Sequence, residues 1–156
     1  MSFKCSSQSE AEERYGLIED GRWANEGAWM TVYKVPAEIS AGWVNSATKA
    51  PTGKIYCNKD MVEPLAQALQ NLLDRGLLCE LESFDGCFCI RDVRALPGQR
   101  SLHSYGIAID VNASENKLGE QPSLSADFVA CFTDAGFTWG GNFHRKDGMH
   151  FSRGWE

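Results

Sequence analysis

Length, composition and charge limit the classes of protein to which this chain can belong. It has 156 residues, 43% of them hydrophobic, which is enough for one sizeable core, so we expect a single domain over residues 1–156. Its 15 Lys and Arg against 21 Asp and Glu give a net charge of −6 without a basic stripe, which argues against a nucleic-acid partner. No apolar run approaches the ~20 residues that cross a bilayer, so we expect no membrane segment.

The first residues of the chain give no sign of chemistry. Residues 1–14 are polar and are expected to be loosely ordered or to form a short helix through residues 10–14. The opening segment also lacks the apolar core of a secretory signal, so we expect the chain to be made and kept in the cytosol.

Hydrophobic periodicity then predicts strands followed by a helix. Residues 29–35 have the composition of a strand, and shorter extended pieces are expected near residues 43–44 and 55–56. Apolar residues at helical spacing predict a helix over residues 61–73, although Pro64 leaves its first turn open. This helix should pack on a sheet.

The second half of the chain predicts the rest of that sheet. A hairpin is expected from residues 77–82 and 86–91 around a turn at residues 83–86. A second helix is predicted over residues 123–135, and closing strands begin at residues 137–139. The fold class is therefore α+β, with a small, largely antiparallel sheet packed against helices.

Six cysteines raise the question of a structural metal site. The single residue between Cys87 and Cys89 is a poor match for the spacing of zinc-binding pairs. In a strand these two would share a face, and with Cys79 we expect them to pack as small buried hydrophobes. The sequence leaves disulfide formation open.

Two segments contain the residues that suggest a catalytic metal. In residues 101–112 an apolar alternation predicts a strand that holds Asp110, and His103 precedes this strand in a compact loop. His150 lies in a short apolar run that can form a neighbouring strand. Two imidazoles and one carboxylate suit Zn²⁺ and leave a fourth position for water, while Asp147 is near enough to take a proton from that water.

Each of these residues also has an ordinary structural interpretation. An isolated histidine is more often packed or exposed than metal-bound. Asp110, however, interrupts an apolar strand, where an unpaired charge would be costly to bury unless a cation accompanied it. Asp147 is followed closely by His150 but preceded by Arg145 and Lys146, which could make it a surface ion-pair partner.

The same segments resemble the zinc peptidases that cut bacterial cell-wall peptides. This family includes D-alanyl-D-alanine carboxypeptidases, L-alanyl-D-glutamate endopeptidases and several bacteriophage endolysins. The resemblance extends from about residue 88 to residue 151, and its motif comprises Ser101, His103, Gly106, Ala108, Asp110, Trp139, Gly140, Gly141, Asp147, His150 and Phe151.

The resemblance implies a role for each matching position. It implies Zn²⁺ ligands at His103, Asp110 and His150 and a general base at Asp147, where many members have the longer Glu. It also implies an arginine upstream of the first ligand that polarises the scissile carbonyl or binds a substrate carboxylate. Arg91 fits that position best and Arg94 is the competitor. The residues expected to contact substrate are Arg94, Ser101, Trp139 and His144. Of these, Trp139 is expected first to pack in the core.

The resemblance therefore implies a zinc-dependent hydrolase of murein. Because the chain looks like a compact, unexported lysin, we expect it to cleave L-alanyl-D-glutamate. D-alanyl-D-alanine carboxypeptidase activity is the alternative, and a catalytically inactive murein-binding or structural phage protein is the alternative of another class. We expect a monomer without a wall-binding module. It should be made in the cytoplasm of a bacterial host and act on the cell wall after release, with peptidoglycan as its partner.

Overall fold

The computed structural model describes residues 3–155 as short helices arranged around small sheets. The α-helices are α1 (Gln8–Tyr15), α2 (Glu26–Trp29), α3 (Ala37–Ser40), α4 (Lys59–Asp74) and α5 (Ala126–Thr133). The strands are β1 (Ile18–Glu19), β2 (Arg22–Trp23), β3 (Met30–Lys34), β4 (Val44–Asn45), β5 (Lys54–Asn58), β6 (Ser83–Gly86), β7 (Ala108–Val111), β8 (Thr138–Trp139) and β9 (His150–Ser152). Short 3₁₀ helices include Leu78–Glu80 and Leu102–Tyr105. None of the helices within residues 3–155 has the length and apolarity that a bilayer crossing needs.

The largest sheet has five strands in the order β4-β6-β7-β9-β8. Only the β4–β6 pair is parallel among these, and the other neighbours are antiparallel. Two smaller antiparallel pairs, β1–β2 and β3–β5, complete the sheets of the described chain. The predicted α+β class with a small, largely antiparallel sheet is confirmed.

Helices α4 and α5 pack against each other, α4 also contacts the β3–β5 pair and α5 contacts β8, and together with residues of β7 and β9 they form the main core. The predicted helix is confirmed as α4, whose buried face includes Met61, Leu65, Leu69 and Leu72. Pro64 lies inside the helix and costs one backbone hydrogen bond, but burial of this apolar face outweighs that loss. Helix α5 begins later than predicted, where the Ser125 hydroxyl accepts a hydrogen bond from the Phe128 N–H.

The amino-terminal residues form part of a second buried cluster. Of the two alternatives predicted for residues 1–14, the short helix is confirmed as α1. Residues 1 and 2 lie outside the described residues. Tyr15 at its end is fully buried, and the same cluster contains Leu102 and Tyr105. The start of the chain therefore packs against the 3₁₀ helix that contains His103.

The predicted hairpin over residues 77–91 is wrong. The segment expected to be its turn forms strand β6, which pairs with β4 on one side and β7 on the other. The amide of Asn112 fixes this arrangement, because its oxygen accepts from the N–H groups of Glu82 and Ser83 and its nitrogen donates to the Glu80 carbonyl. Residues 87–91 consequently run as irregular chain.

The loss of that strand also changes the cysteines. Cys87 is buried as expected, but Cys79 and Cys89 are exposed, so the expectation of a shared buried face is wrong. An irregular backbone has no alternation of faces, which is why Cys89 can point away from Cys87. All six cysteines are free thiols in the described chain.

Candidate metal centre

Three predicted ligands converge where β7 and β9 pair. Asp110 lies directly opposite His150 in the antiparallel ladder, so their side chains project from the same face of the sheet. His103 comes from the 3₁₀ helix Leu102–Tyr105, which turns at Gly106 into β7. Gly106 has φ +67°, a left-handed conformation that glycine adopts without strain. The turn thereby returns His103 toward the strand that follows it.

The donor atoms have the spacing of a metal site. His103 Nε2 is 3.2 Å from His150 Nδ1 and 3.3 Å from Asp110 Oδ2, and His150 Nδ1 is 3.4 Å from Asp110 Oδ1. The edge of a tetrahedron around zinc is ~3.3–3.4 Å when the metal–nitrogen bonds are ~2.0–2.1 Å. Donor lone pairs that converge at this distance repel each other unless a positive charge lies among them, so these residues fit a divalent cation.

The electrostatics of the group favour an ionised Asp110. Its neighbours Ile109 and Val111 are fully buried, and burial alone would raise the pKa of this carboxyl. When their imidazoles are protonated, the charge and hydrogen bonds of His103 and His150 outweigh that penalty and hold the pKa of Asp110 well below its ordinary value. A cation bound by the neutral rings would supply the same positive charge. A carboxylate that stays charged in an apolar strand is what a cation site requires.

His103 is held in one orientation by the backbone. Its Nδ1 lies 2.8 Å from the Cys87 carbonyl oxygen, which can only accept, so Nδ1 carries the proton and Nε2 presents its lone pair to the site. The Ser101 hydroxyl accepts a hydrogen bond from the His103 N–H and caps the 3₁₀ helix. His103 and His150 are 2% and 5% exposed, so both rings are shielded on all sides but one.

The three donors lie beside a cleft of about 430 Å³. Asp110 and His150 form part of its wall. Five other residues predicted to act on substrate or water also line it, namely Arg91, Arg94, Ser101, His144 and Asp147. Apolar side chains that the sequence did not single out complete the wall, and they include Leu96, Leu118, Phe143, Met149 and Trp155.

Arg91 has the better anchored backbone of the two candidate arginines. Its N–H donates to the Ser104 hydroxyl, and its carbonyl accepts from the Ser101 N–H at 3.0 Å and from the same hydroxyl at 2.8 Å. These contacts bind Arg91 to the segment that contains His103. Arg94 lies farther along an exposed loop. Arg91 and Asp147 both line the cleft.

Asp147 is fixed by the loop between β8 and β9. Its N–H donates to the Gly140 carbonyl at 2.9 Å, and its own carbonyl accepts from the His150 N–H at 3.1 Å. A Cβ at Gly140 would collide with the Asp147 carbonyl, so only glycine allows this approach. Burial and the negative charge of Asp110 raise the pKa of Asp147 above its ordinary value. No salt bridge joins Asp147 to Arg145 or Lys146 within residues 3–155.

Trp139 and His144 differ in their relation to the cleft. The Trp139 indole stacks on Phe151 and donates to the Gly148 carbonyl at 2.9 Å, and it packs against the core instead of lining the cleft of the described chain. Packing is the role expected first for Trp139, and its contact with substrate stays a prediction. His144 is exposed at the cleft wall, as a loop residue should be.

A sheltered cation site beside an open cleft with a carboxylate is the arrangement of a metal-dependent hydrolase. Residues 95–153 match a family model described as D-alanyl-D-alanine carboxypeptidase. The match covers less than half of the chain, and it includes the three donors and Asp147 but not Arg91. It supports a hydrolase of the peptidase class. The chain matches no curated protein and no solved structure.

Proposed function

We propose that the protein is a zinc-dependent peptidase that hydrolyses the L-alanyl-D-glutamate bond in the stem peptide of peptidoglycan. The observation on which this proposal depends is the convergence of His103, Asp110 and His150 at 3.2–3.4 Å beside a cleft. The family match over residues 95–153 supports the peptidase class.

The residues at the cleft divide the work of amide hydrolysis between them. Nε2 of His103, the Asp110 carboxylate and Nδ1 of His150 would hold the ion, and zinc bound there supplies Lewis acidity and lowers the pKa of a water molecule to about 7. Asp147 accepts a proton from the attacking water and passes it to the leaving amine. Arg91 stabilises the negative charge that develops on the carbonyl oxygen.

The charge of the cleft fits an acidic peptide. The chain as a whole has a net charge of −6, yet Arg91, Arg94 and Arg145 line this cleft. None of the three takes part in a salt bridge among residues 3–155. Arginines that form no direct ion pair with a carboxylate are available to an anionic ligand. The stem peptide, which contains free carboxylates, has the matching charge.

Trimming of terminal D-alanine is the second candidate, because the family model that matches residues 95–153 is described as D-alanyl-D-alanine carboxypeptidase. The two reactions share the chemistry above and differ in the bond that is placed beside the donors. They also release different products. Endopeptidase cleavage frees peptides that begin with D-glutamate, whereas carboxypeptidase cleavage frees single D-alanine.

A digest of purified murein tests the proposal. We expect the zinc-loaded protein to release peptides with D-glutamate at the amino terminus, detected by mass spectrometry, and a chelator to stop the release until zinc is restored. Free D-alanine as the product would establish the carboxypeptidase instead. Protein that retains zinc and binds murein but releases nothing would contradict both and indicate a murein-binding or structural phage protein.

A further inference from the structure

We infer that Asn58, which lies outside the matched region, is a positioning residue for the metal ligand His103. The inference rests on the proposed metal centre and adds a residue that no motif in the sequence indicated. Asn58 is the last residue of β5 and the residue that precedes α4, and it is fully buried.

Each hydrogen-bonding group of the Asn58 side chain has a different task. Its Oδ1 accepts from the Asp60 N–H at 2.9 Å and caps the start of α4. Its Nδ2 donates to the Tyr105 carbonyl at 2.9 Å. The backbone N–H of Asn58 adds a third bond, to the Gly106 carbonyl at 3.0 Å. One residue thus joins a core helix to the turn that follows His103.

That turn has little freedom of its own. A 3₁₀ helix of four residues leaves its last carbonyls without partners in the helix, and Asn58 supplies donors to Tyr105 and Gly106. The approach is close, because a Cβ at Gly106 would lie 2.9 Å from the Asn58 nitrogen and 2.7 Å from the Met30 sulfur. His103 is two residues from Tyr105, so a shift of the Tyr105 carbonyl moves the imidazole.

Asn58 and the Cys87 carbonyl restrain His103 from different sides. Cys87 fixes the ring through Nδ1, while Asn58 fixes the backbone that supports the ring. Contacts that orient a ligand in this way typically change metal affinity by about 10- to 100-fold when they are lost. The expected consequence of losing the Nδ2 donor is therefore weaker metal binding in a chain that remains folded.

The test compares Asn58→Asp and Asn58→Ser with Ser125→Ala. Both Asn58 variants keep an oxygen that can cap α4 but lose the Nδ2 donor to Tyr105. Asp places an acceptor against that carbonyl, and the Ser hydroxyl ends one bond short of the position of Nδ2. Ser125→Ala removes the matching cap of α5, whose hydrogen bond comes from Phe128 in the same helix. Zinc affinity is measured by competition with a chromophoric chelator, well below the melting temperature of each variant.

We expect zinc affinity to fall by about tenfold or more in both Asn58 variants and to stay within about twofold of the parent in Ser125→Ala. Cobalt in place of zinc should give an altered visible spectrum in the Asn58 variants alone. Unchanged affinity in the Asn58 variants would overturn the inference. So would failure of both to fold, since the helix cap is retained and the role would then be purely structural.

Two readouts separate this inference from the proposed function. Zinc competition uses no substrate. If the parent protein binds zinc but leaves murein intact, the peptidase proposal fails and the role of Asn58 is unaffected. The chain has three histidines, which keeps the imidazole region of an NMR spectrum simple. Were the parent to bind no zinc, the peptidase proposal would fail, and displaced His103 ring signals in the metal-free Asn58 variants would still support the inference. Unmoved signals would overturn it.

Discussion

The chain divides into two regions with different relations to the candidate site. Residues 95–153 contain the three metal donors and Asp147, and this is the region that matches a peptidase family model. Residues 3–94 contribute Arg91, Val93 and Arg94 to the cleft wall, and they also hold the donors in place through Asn58, the Cys87 carbonyl and the cluster around Tyr15. The metal donors and the contacts that hold them in place are therefore encoded largely in different parts of the chain. Variants in the two regions should therefore fail in different ways.

The largest effect is expected from a lost ligand. His103→Ala should abolish zinc binding and reduce murein hydrolysis by about 10³-fold or more, because two donors do not hold the ion. Zinc content by elemental analysis and peptide release measure the two effects. His144→Ala is the control, since it removes a histidine from the same cleft without removing a donor. Equal zinc content in the two variants would contradict the proposed site.

The next effect separates binding of the metal from catalysis. Asp147→Asn preserves the shape of the side chain but removes its basicity, so kcat should fall by about 10²- to 10⁴-fold while zinc content stays at that of the parent. Steady-state kinetics together with elemental analysis checks this. Undiminished turnover would exclude Asp147 as the base.

Arg91 and Arg94 test whether residues 3–94 contribute to chemistry at all. Arg91→Ala should lower kcat by about 10- to 10³-fold, because a charge that stabilises the developing oxyanion is lost. Arg94→Ala should mainly raise KM, since Arg94 is exposed at the cleft wall. The opposite pattern, with kcat sensitive to Arg94 alone, would exchange the two roles.

A core variant should affect stability without changing the site. Leu69 is fully buried on α4, so Leu69→Ala should lower the free energy of unfolding by about 2–5 kcal/mol. Denaturant unfolding measures this loss. Zinc affinity well below the melting temperature should match that of the parent. A parallel fall in affinity would mean that the two regions are not separable.

The smallest effect is expected at an exposed acidic pair. A hydrogen bond and the charge of Glu115 raise the pKa of Glu82, so the folded chain binds that proton more tightly than the unfolded chain does. The stabilisation is present below the ordinary pKa of Glu and is lost as the pH rises through the folded value. Glu115→Gln should therefore raise the melting temperature by about 1 °C at pH 7 and not at pH 4. Glu120→Gln, which removes the same charge elsewhere, should show no such difference.

The parts that the sequence predicted are those encoded by residue type. Two histidines and an aspartate in a recurrent motif predicted a convergence of donors that the structure places within 4.8 Å. Hydrophobic spacing predicted α4, β3, β7 and β9 in nearly correct positions. Amphipathic periodicity and ligand chemistry both depend on the identity of the side chains. The sequence contains that information directly.

The parts that it did not predict depend on backbone contacts between distant segments. The hairpin prediction was wrong because Asn112 binds backbone groups of residues 80–83. Nothing in the sequence of residues 77–91 indicates a partner about thirty positions away. The Cys87 carbonyl is a second example, because a backbone acceptor is present at every residue. Asn58 did have a local signal, as an Asn directly before a helix, but the predicted helix began at Met61, the first apolar residue of the helical pattern, whereas α4 begins at Lys59.

The direct pairing of Asp110 with His150 makes the alignment of two short strands a functional quantity. A slip of β9 by a single position would turn His150 to the opposite face of the sheet while most ladder hydrogen bonds could re-form. Such a misaligned protein would remain folded but would not bind zinc. Insertions or deletions in residues 140–149 would therefore be tolerated by the fold far better than by its activity.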